Sequence, residues 1–284
     1  MQTLHTIAEL RSALSAHRKS GKKIALVPTM GNLHRGHIKL VEIAATEADI
    51  VVASIFVNPL QFGPNEDLDS YPRTLLEDQS KLQAAGCDYL FAPNNNEIYP
   101  EGRDQQTLVE VPMLSDLYCG TTRPGHFCGV TTVVCKLFNI CQPDLAIFGE
   151  KDYQQLRIIR KMVSDLCIPV EIRSVATVRA EDGLALSSRN GYLSDDERAV
   201  APALQHTLRQ TCLAINQGNH DFRDLEAQAE NQLSAAGLTP DYVRIVRRSD
   251  LLPAQRGDKS LVILTAAYLG VTRLIDNCEI DCNS

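Results

Sequence analysis

The sequence predicts an α/β fold: a doubly wound, Rossmann-like parallel sheet over residues 1–176, followed by a smaller α+β domain over 177–284. Three observations carry it. Short, near-continuous apolar runs at 24–27, 50–57 and 144–148 have the length of strands buried on both faces. Helical apolar spacing fills the intervals between them, as the crossovers of a parallel sheet require. Beyond Arg189-Asn190-Gly191 the grammar changes to two helices and then two strands.

Taken in order, Thr6 and Glu9 form a capping box ahead of a helix to about residue 17, and 24–27 is the first buried strand. A Gly-containing turn at 28–36 leads into a helix through about residue 48, and the strand at 50–57 completes a βαβ unit. The pattern repeats with a helix at 72–86, Pro at its start and Gly at its end, then a strand at 89–92 and a helix at 130–141. A strand at 144–148, a helix at 153–166 and a strand at 170–178 close the first domain. The second reads as helices at 196–216 and 221–236, then strands at 241–247 and 261–269.

Composition narrows the function. The chain has 284 residues, 44% of them hydrophobic, which excludes a peptide, a fibre or a disordered tail. A net charge of −7 argues against nucleic acid as the main partner. The longest apolar runs fall short of the roughly 18 residues that span a bilayer, so no membrane association is expected. The amino terminus lacks the basic and apolar regions of an export signal, and a cytoplasmic protein is the default reading. Nine cysteines, an odd number without a Cys-Xaa-Xaa-Cys motif, read as reduced thiols, and no metal ligands are nominated.

Three polar stretches are left unexplained by a core. Pro28-Thr29-Met30-Gly31-Asn32-Leu33-His34-Arg35-Gly36-His37 lies where the first strand gives way to a helix. There the unpaired N–H groups of a helix start favour an anion, and His34 and His37, three apart, can face one point. A pair of structural histidines is the plain alternative, and a zinc site would need a third ligand such as His126. Gly149-Glu150-Lys151-Asp152 occupies another strand-to-helix junction, where Lys151 can meet phosphate and Asp152 can also cap the helix. Leu186-Ser187-Ser188-Arg189-Asn190-Gly191, directly after the last strand of the first domain, offers hydroxyls and a guanidinium as a second clamp, or is an ordinary polar turn.

His-Xaa-Gly-His together with the Ser-Ser-Arg-Asn loop resembles the adenylate-forming nucleotidylyltransferase superfamily. Within it the sequence is similar to the pantoate–β-alanine ligase family through PTMGNLHRGH (28–37), FVNPLQFGPNEDLDSYPRT (56–74), TRPGHF (122–127), FGEKDYQQL (148–156), LSSRNGYL (186–193) and TRLIDN (272–277). The resemblance implies condensation of (R)-pantoate with β-alanine, driven by ATP with Mg²⁺, through a pantoyl-adenylate, in a homodimer. It also implies that the second domain closes over an ATP site held by the first.

Carried over residue by residue, the resemblance puts Met30, Gly31, Asn32, Leu33, His34, Arg35, Gly36 and His37 on ATP. Gly149, Glu150, Lys151, Asp152, Val178, Leu186, Ser187, Ser188 and Arg189 join them, with His37, His34 and Lys151 as the catalytic groups. Gln61 and Gln155 would bind pantoate, with Asn58, Tyr71 and Arg123 near the same pocket. Leu186 replaces the family's frequent Met, and Cys128 stands where a basic or small residue is common. The segment 58–70 is expected to wall the adenylate from water. A nucleotidylyltransferase acting on a phosphorylated acceptor is the nearest rival, and a non-catalytic nucleotide sensor the reading from another class.

Overall fold

The apolar runs form strands because each is flanked by turns and flattened between helices. The computed structural model describes residues 1–64 and 66–282. The chain divides into two compact units, Met1–Glu150 with Gln155–Ala176, and Lys151–Gln154 with Thr177–Ser284.

The first unit contains β1 (Gln2–Leu4), α1 (Ile7–Lys19), β2 (Ile24–Thr29), α2 (Arg35–Glu47), β3 (Ile50–Ile55), α3 (Leu75–Ala84), β4 (Tyr89–Phe91), the short helices α4 (Asn95–Ile98) and α5 (Cys119–Thr122), α6 (His126–Cys141), β5 (Leu145–Gly149) and β6 (Glu171–Val175). Helix α7 (Tyr153–Asp165) starts in the residues grouped with the second unit and continues in the first. The six strands are parallel in the order β1-β4-β3-β2-β5-β6. Ile24, Ala25 and Val27 of β2 and Leu145 to Ile147 of β5 are sealed from solvent, and Val41 and Ala44 of α2 with Leu82 of α3 pack against this centre. The chain moves from β2 outward to β3 and β4, then resumes on the other side of β2 with β5. The carboxyl ends of β2 and β5 are therefore the switch point, where an open sheet of this kind has its crevice.

The second unit contains α8 (Asp195–Val200), α9 (Ala203–Asn216), α10 (Phe222–Ala235) and the antiparallel sheet β7 (Thr239–Arg247), β8 (Ser260–Leu269), β9 (Thr272–Asp281). Leu204, Leu208 and Ile215 of α9 and Leu225 and Leu233 of α10 bury against Ile245, Ile263 and Ile280.

Several boundaries differ from the sequence reading for identifiable reasons. Helix α3 starts at Leu75, not at Pro72, because Thr74 accepts the first helical bond, from the Asp78 N–H. The single helix expected at 196–216 is two, since Pro202 has no N–H to continue α8 and instead caps α9. Strand β6 ends at Val175, and residues 178–186 fold back as a hairpin with Arg179 bridged to Ala185 and the Leu186 N–H on the Val178 carbonyl. The Ser187 loop thus follows this hairpin and not a sheet strand. Strands β1 and β9 are additions to the elements expected from spacing. No described helix is long and apolar enough to cross a membrane.

All nine cysteines are free. Burial pushes the Cys87 thiol up to about 11 and that of Cys141 to about 12, so neither is a thiolate near neutrality. Both should resist iodoacetamide in the native protein and react once urea unfolds it; native labelling at either position, read by peptide mapping, would contradict this packing.

Candidate functional site

At the switch point, β2 ends in Met30-Gly31-Asn32-Leu33 before α2 begins. Gly31 has φ +86°, and a Cβ there would stand 3.1 Å from Ile55 and 3.2 Å from Asp78. Asp78, from α3, is sealed from solvent and accepts the N–H groups of Asn32 at 2.9 Å and Leu33 at 2.8 Å, with the Thr74 hydroxyl at 3.1 Å. Lys81, one turn on, donates to the Leu33 carbonyl at 2.7 Å. Helix α3 therefore holds the loop by its backbone. Sequence reasoning missed Asp78, whose only signal is an acidic residue in a helix's first turn.

His34 is the N-cap of α2, and its Nδ1 accepts the Gly36 N–H at 3.1 Å. The His34 N–H in turn reaches Nδ1 of His37 at 3.4 Å, a reciprocal capping box made of two imidazoles, with ring centroids 4.1 Å apart. An Nδ1 that accepts a hydrogen bond carries no proton, so the Nε2 of each neutral ring is the donor. The structural role of this pair, capping the helix, still leaves each Nε2–H able to donate to a ligand. Arg35 points away from it, pairing with Glu42 along the exposed side of α2.

Beyond β3, Pro59–Gln61 make a 3₁₀ turn capped by Asn58. Asn58 is buried; its amide donates to Gln61 Oε1 at 3.2 Å and to the Gly129 carbonyl at 3.0 Å, and its oxygen accepts the Tyr99 hydroxyl at 2.7 Å. Burial raises the Tyr99 phenol, which keeps it a donor. Gln61 Nε2 lies 2.9 Å from the Met30 sulfur, so the β2 and β3 loops meet. A Cβ at Gly129 would fall 2.3 Å from the Leu60 carbonyl oxygen, and the absence of a side chain there lets α6 press on this turn.

Arg123 does not present an open charge. It forms a two-pronged pair with Glu66 at 2.7 and 2.6 Å, donates to His126 Nε2 at 2.9 Å, and His126 Nδ1 donates to the Gln61 carbonyl at 2.8 Å. His126 is thus a support for Gln61. Tyr71 is buried edge-on to Phe62. The segment 58–70 includes Asn65, which lies outside the described residues.

At the end of β5, Gly149 has no atom within 4 Å of the position a Cβ would take, and the Glu150 carboxylate accepts the Ser174 hydroxyl of β6 at 2.8 Å. Gln155 is half-buried in the first turn of α7. In the second unit Lys151 is largely buried, its ammonium 3.9 Å from the Asp152 carboxylate. Ser187 caps a 3₁₀ turn, Ser188–Tyr192, through a bond from the Arg189 N–H at 3.3 Å, and Asn190 ties it to the Ala185 carbonyl at 3.0 Å. Val178 and Leu186 sit opposite each other in the hairpin. Among the described residues no group of three His, Cys, Asp or Glu is placed to hold a metal ion.

The family described as pantoate-beta-alanine ligase matches this chain over residues 2–279. The chain belongs to that family. It is 59% identical to a pantothenate synthetase of Marinobacter nauticus over 99% of both chains, and 61% identical to one of Pseudomonas putida over 98% of this chain and 96% of the other. The crystal structure of pantothenate synthetase from Thermus thermophilus superposes with a TM-score of 0.92 at 48% identity, covering 98% of this chain and 99% of that one. A pantoate-beta-alanine ligase from Francisella tularensis, complexed with beta-gamma ATP and beta-alanine, gives 0.82 at 35% identity over 98% and 97%. As a member of the pantoate–β-alanine ligase family, this chain is a ligase that joins pantoate to β-alanine.

Two outcomes test the site's scaffold. Asp78→Ala removes the acceptor of the buried Leu33 N–H and the part-buried Asn32 N–H, which should cost about 2–4 kcal/mol of stability and lower kcat/KM; urea midpoints and turnover unchanged from wild type would contradict the anchoring role. Burial pushes the Glu66 carboxyl up, but the Arg123 guanidinium outweighs it and holds the group below its ordinary 4.5. The stabilisation this confers is present above the unfolded value and lost as pH falls through the folded one. Glu66→Gln should therefore flatten the loss of stability below about pH 5, and an unaltered acid limb in urea titrations would refute the pairing.

Proposed function

We propose that this ATP-dependent ligase activates pantoate as an acyl-adenylate, releasing pyrophosphate, and that the unprotonated amine of β-alanine then displaces AMP to form pantothenate. The observation that carries the reading is the imidazole capping box: two Nε2–H donors at the helix start beside the switch point of a parallel sheet.

The first step brings a carboxylate to an anionic phosphate, so charge must be neutralised before attack. His34 and His37 are assigned to the triphosphate, with the backbone of Met30 to Leu33 approaching the nucleotide. His37 stabilises the negative charge that grows on the α,β-bridging oxygen as pyrophosphate leaves. Lys151, as a point charge, and Arg189, as a fork, are assigned to the same phosphates, with Ser187 and Ser188 as hydroxyl donors. Gly149, Glu150, Asp152, Val178 and Leu186 complete the proposed nucleotide contacts. Gln61 and Gln155 bind pantoate, near Asn58, Tyr71 and Arg123. Amide groups suit a hydroxy acid better than a phosphorylated acceptor, and Arg123 is already engaged by Glu66. That disfavours the nucleotidylyltransferase alternative.

Mg²⁺ is proposed to arrive on the ATP, where it neutralises phosphate charge. An ion held chiefly by phosphates and water needs no protein cage. The family resemblance supports a homodimer working in the cytoplasm.

Pyrophosphate release should require ATP and pantoate, and AMP-linked amide formation should require β-alanine as well. His37→Ala should lower kcat about 10²- to 10³-fold while costing only about 1 kcal/mol of stability from the lost cap. Wild-type turnover in that variant would overturn the assignment.

A further inference from the structure

Strand β9 makes a connection that the proposed phosphate contacts do not account for. Asp276 is 3% exposed, and Arg179 grips its carboxylate with both terminal nitrogens, at 2.6 and 2.9 Å. The Asn277 N–H occupies one of the same oxygens at 2.8 Å. Arg179 stands at the base of the hairpin that delivers Ser187, and its Nη1 also donates to the Gly183 carbonyl at 3.1 Å, bracing the turn. The next residue of the strand, Asn277, donates its side-chain amide to the Lys151 carbonyl at 3.0 Å. Two residues further, Glu279 accepts the Tyr153 hydroxyl at 2.8 Å.

Adjacent residues of one strand thus hold two segments that are far apart in sequence. Register pairing of Thr265 with Asp276 and Leu264 with Asn277 fixes that strand from the β8 side. The two segments converge, for Lys151, Ala185, Ser187, Asn190 and Asp276 line one cleft of the second unit.

We infer that Arg179, Asp276 and Asn277 are positioning residues that set the spacing between Lys151 and the Ser187–Arg189 loop for nucleotide binding. The inference rests on the reading that those two segments contact ATP. A buried carboxylate gripped by a fork fixes direction as well as distance, which a neutral packing contact would not. Loss of either tie should therefore act on ATP and not on the amine substrate.

The same strand supplies a control. Arg273 pairs with Asp241 of β7 at 2.7 Å, with side chains 14% and 13% exposed, and ties β9 to β7. Steady-state pyrophosphate release and thermal unfolding would be compared for Asp276→Asn, Asn277→Ala, Asp241→Asn and Lys151→Ala. Asp276→Asn and Asn277→Ala should raise KM for ATP about tenfold with KM for β-alanine within about twofold of wild type, while Asp241→Asn lowers Tm but not ATP affinity. If Asp276→Asn does not fold, Asn277→Ala decides, because it leaves the charge pair whole. An unchanged KM for ATP in Asn277→Ala, or an equal rise in Asp241→Asn, overturns the inference when Lys151→Ala is impaired. Wild-type ATP kinetics in Lys151→Ala would instead overturn the site reading beneath it.

Discussion

The arrangement on which the rest depends is the occupation of both histidine Nδ1 atoms by backbone N–H groups at the start of α2. That capping consumes one nitrogen of each ring and decides which one remains as a donor. It also places the donors where the helix dipole already favours an anion. A chain with a net charge of −7 has to bind a nucleotide and a carboxylic acid, so attraction cannot come from its overall field. It has to be local, and the proposed sources are oriented N–H groups, the two imidazoles and a few cations.

Orientation in turn depends on ties made behind the proposed contacts. Asp78 converts the β2–α2 loop into a fixed curve by accepting two of its N–H groups, and Gly31 supplies the backbone angle that a side chain would resist. His126 and Arg123 do the same for Gln61 through its carbonyl, while Glu66 keeps Arg123 in place. In the second unit β9 is inferred to do the equivalent through Asp276 and Asn277. The polar residues at the proposed reaction centre are thus backed by buried and part-buried polar residues tied to backbone and side-chain groups, the kind of support that holds a site in a fixed geometry.

Much of this is legible in the sequence because it is local. The Thr6–Glu9 capping box, the buried strands β2, β3 and β5 and the position of the His-Xaa-Gly-His turn all follow from spacing within a dozen residues. The misses share a different cause. Apolar spacing runs straight through Pro202 although a helix ends there, and β9, with Asp276 and Asn277 breaking its apolar rhythm, looks polar until its partners are known. The 178–186 hairpin has a single bridge pair and no apolar alternation to announce it. Asp78 and His126 act on residues 45 and 65 positions away, and that pairing exists only after folding.

The most direct measurement is the tautomeric state of His34 and His37 by long-range ¹H–¹⁵N correlation at about pH 8, in the free protein and with a non-hydrolysable ATP analogue. The account predicts the Nε2–H form for both rings in both states, with the Nε2 resonances, and not the Nδ1 resonances, moving when the analogue binds. An Nδ1–H tautomer in either ring, or Nε2 signals indifferent to the analogue, would contradict it.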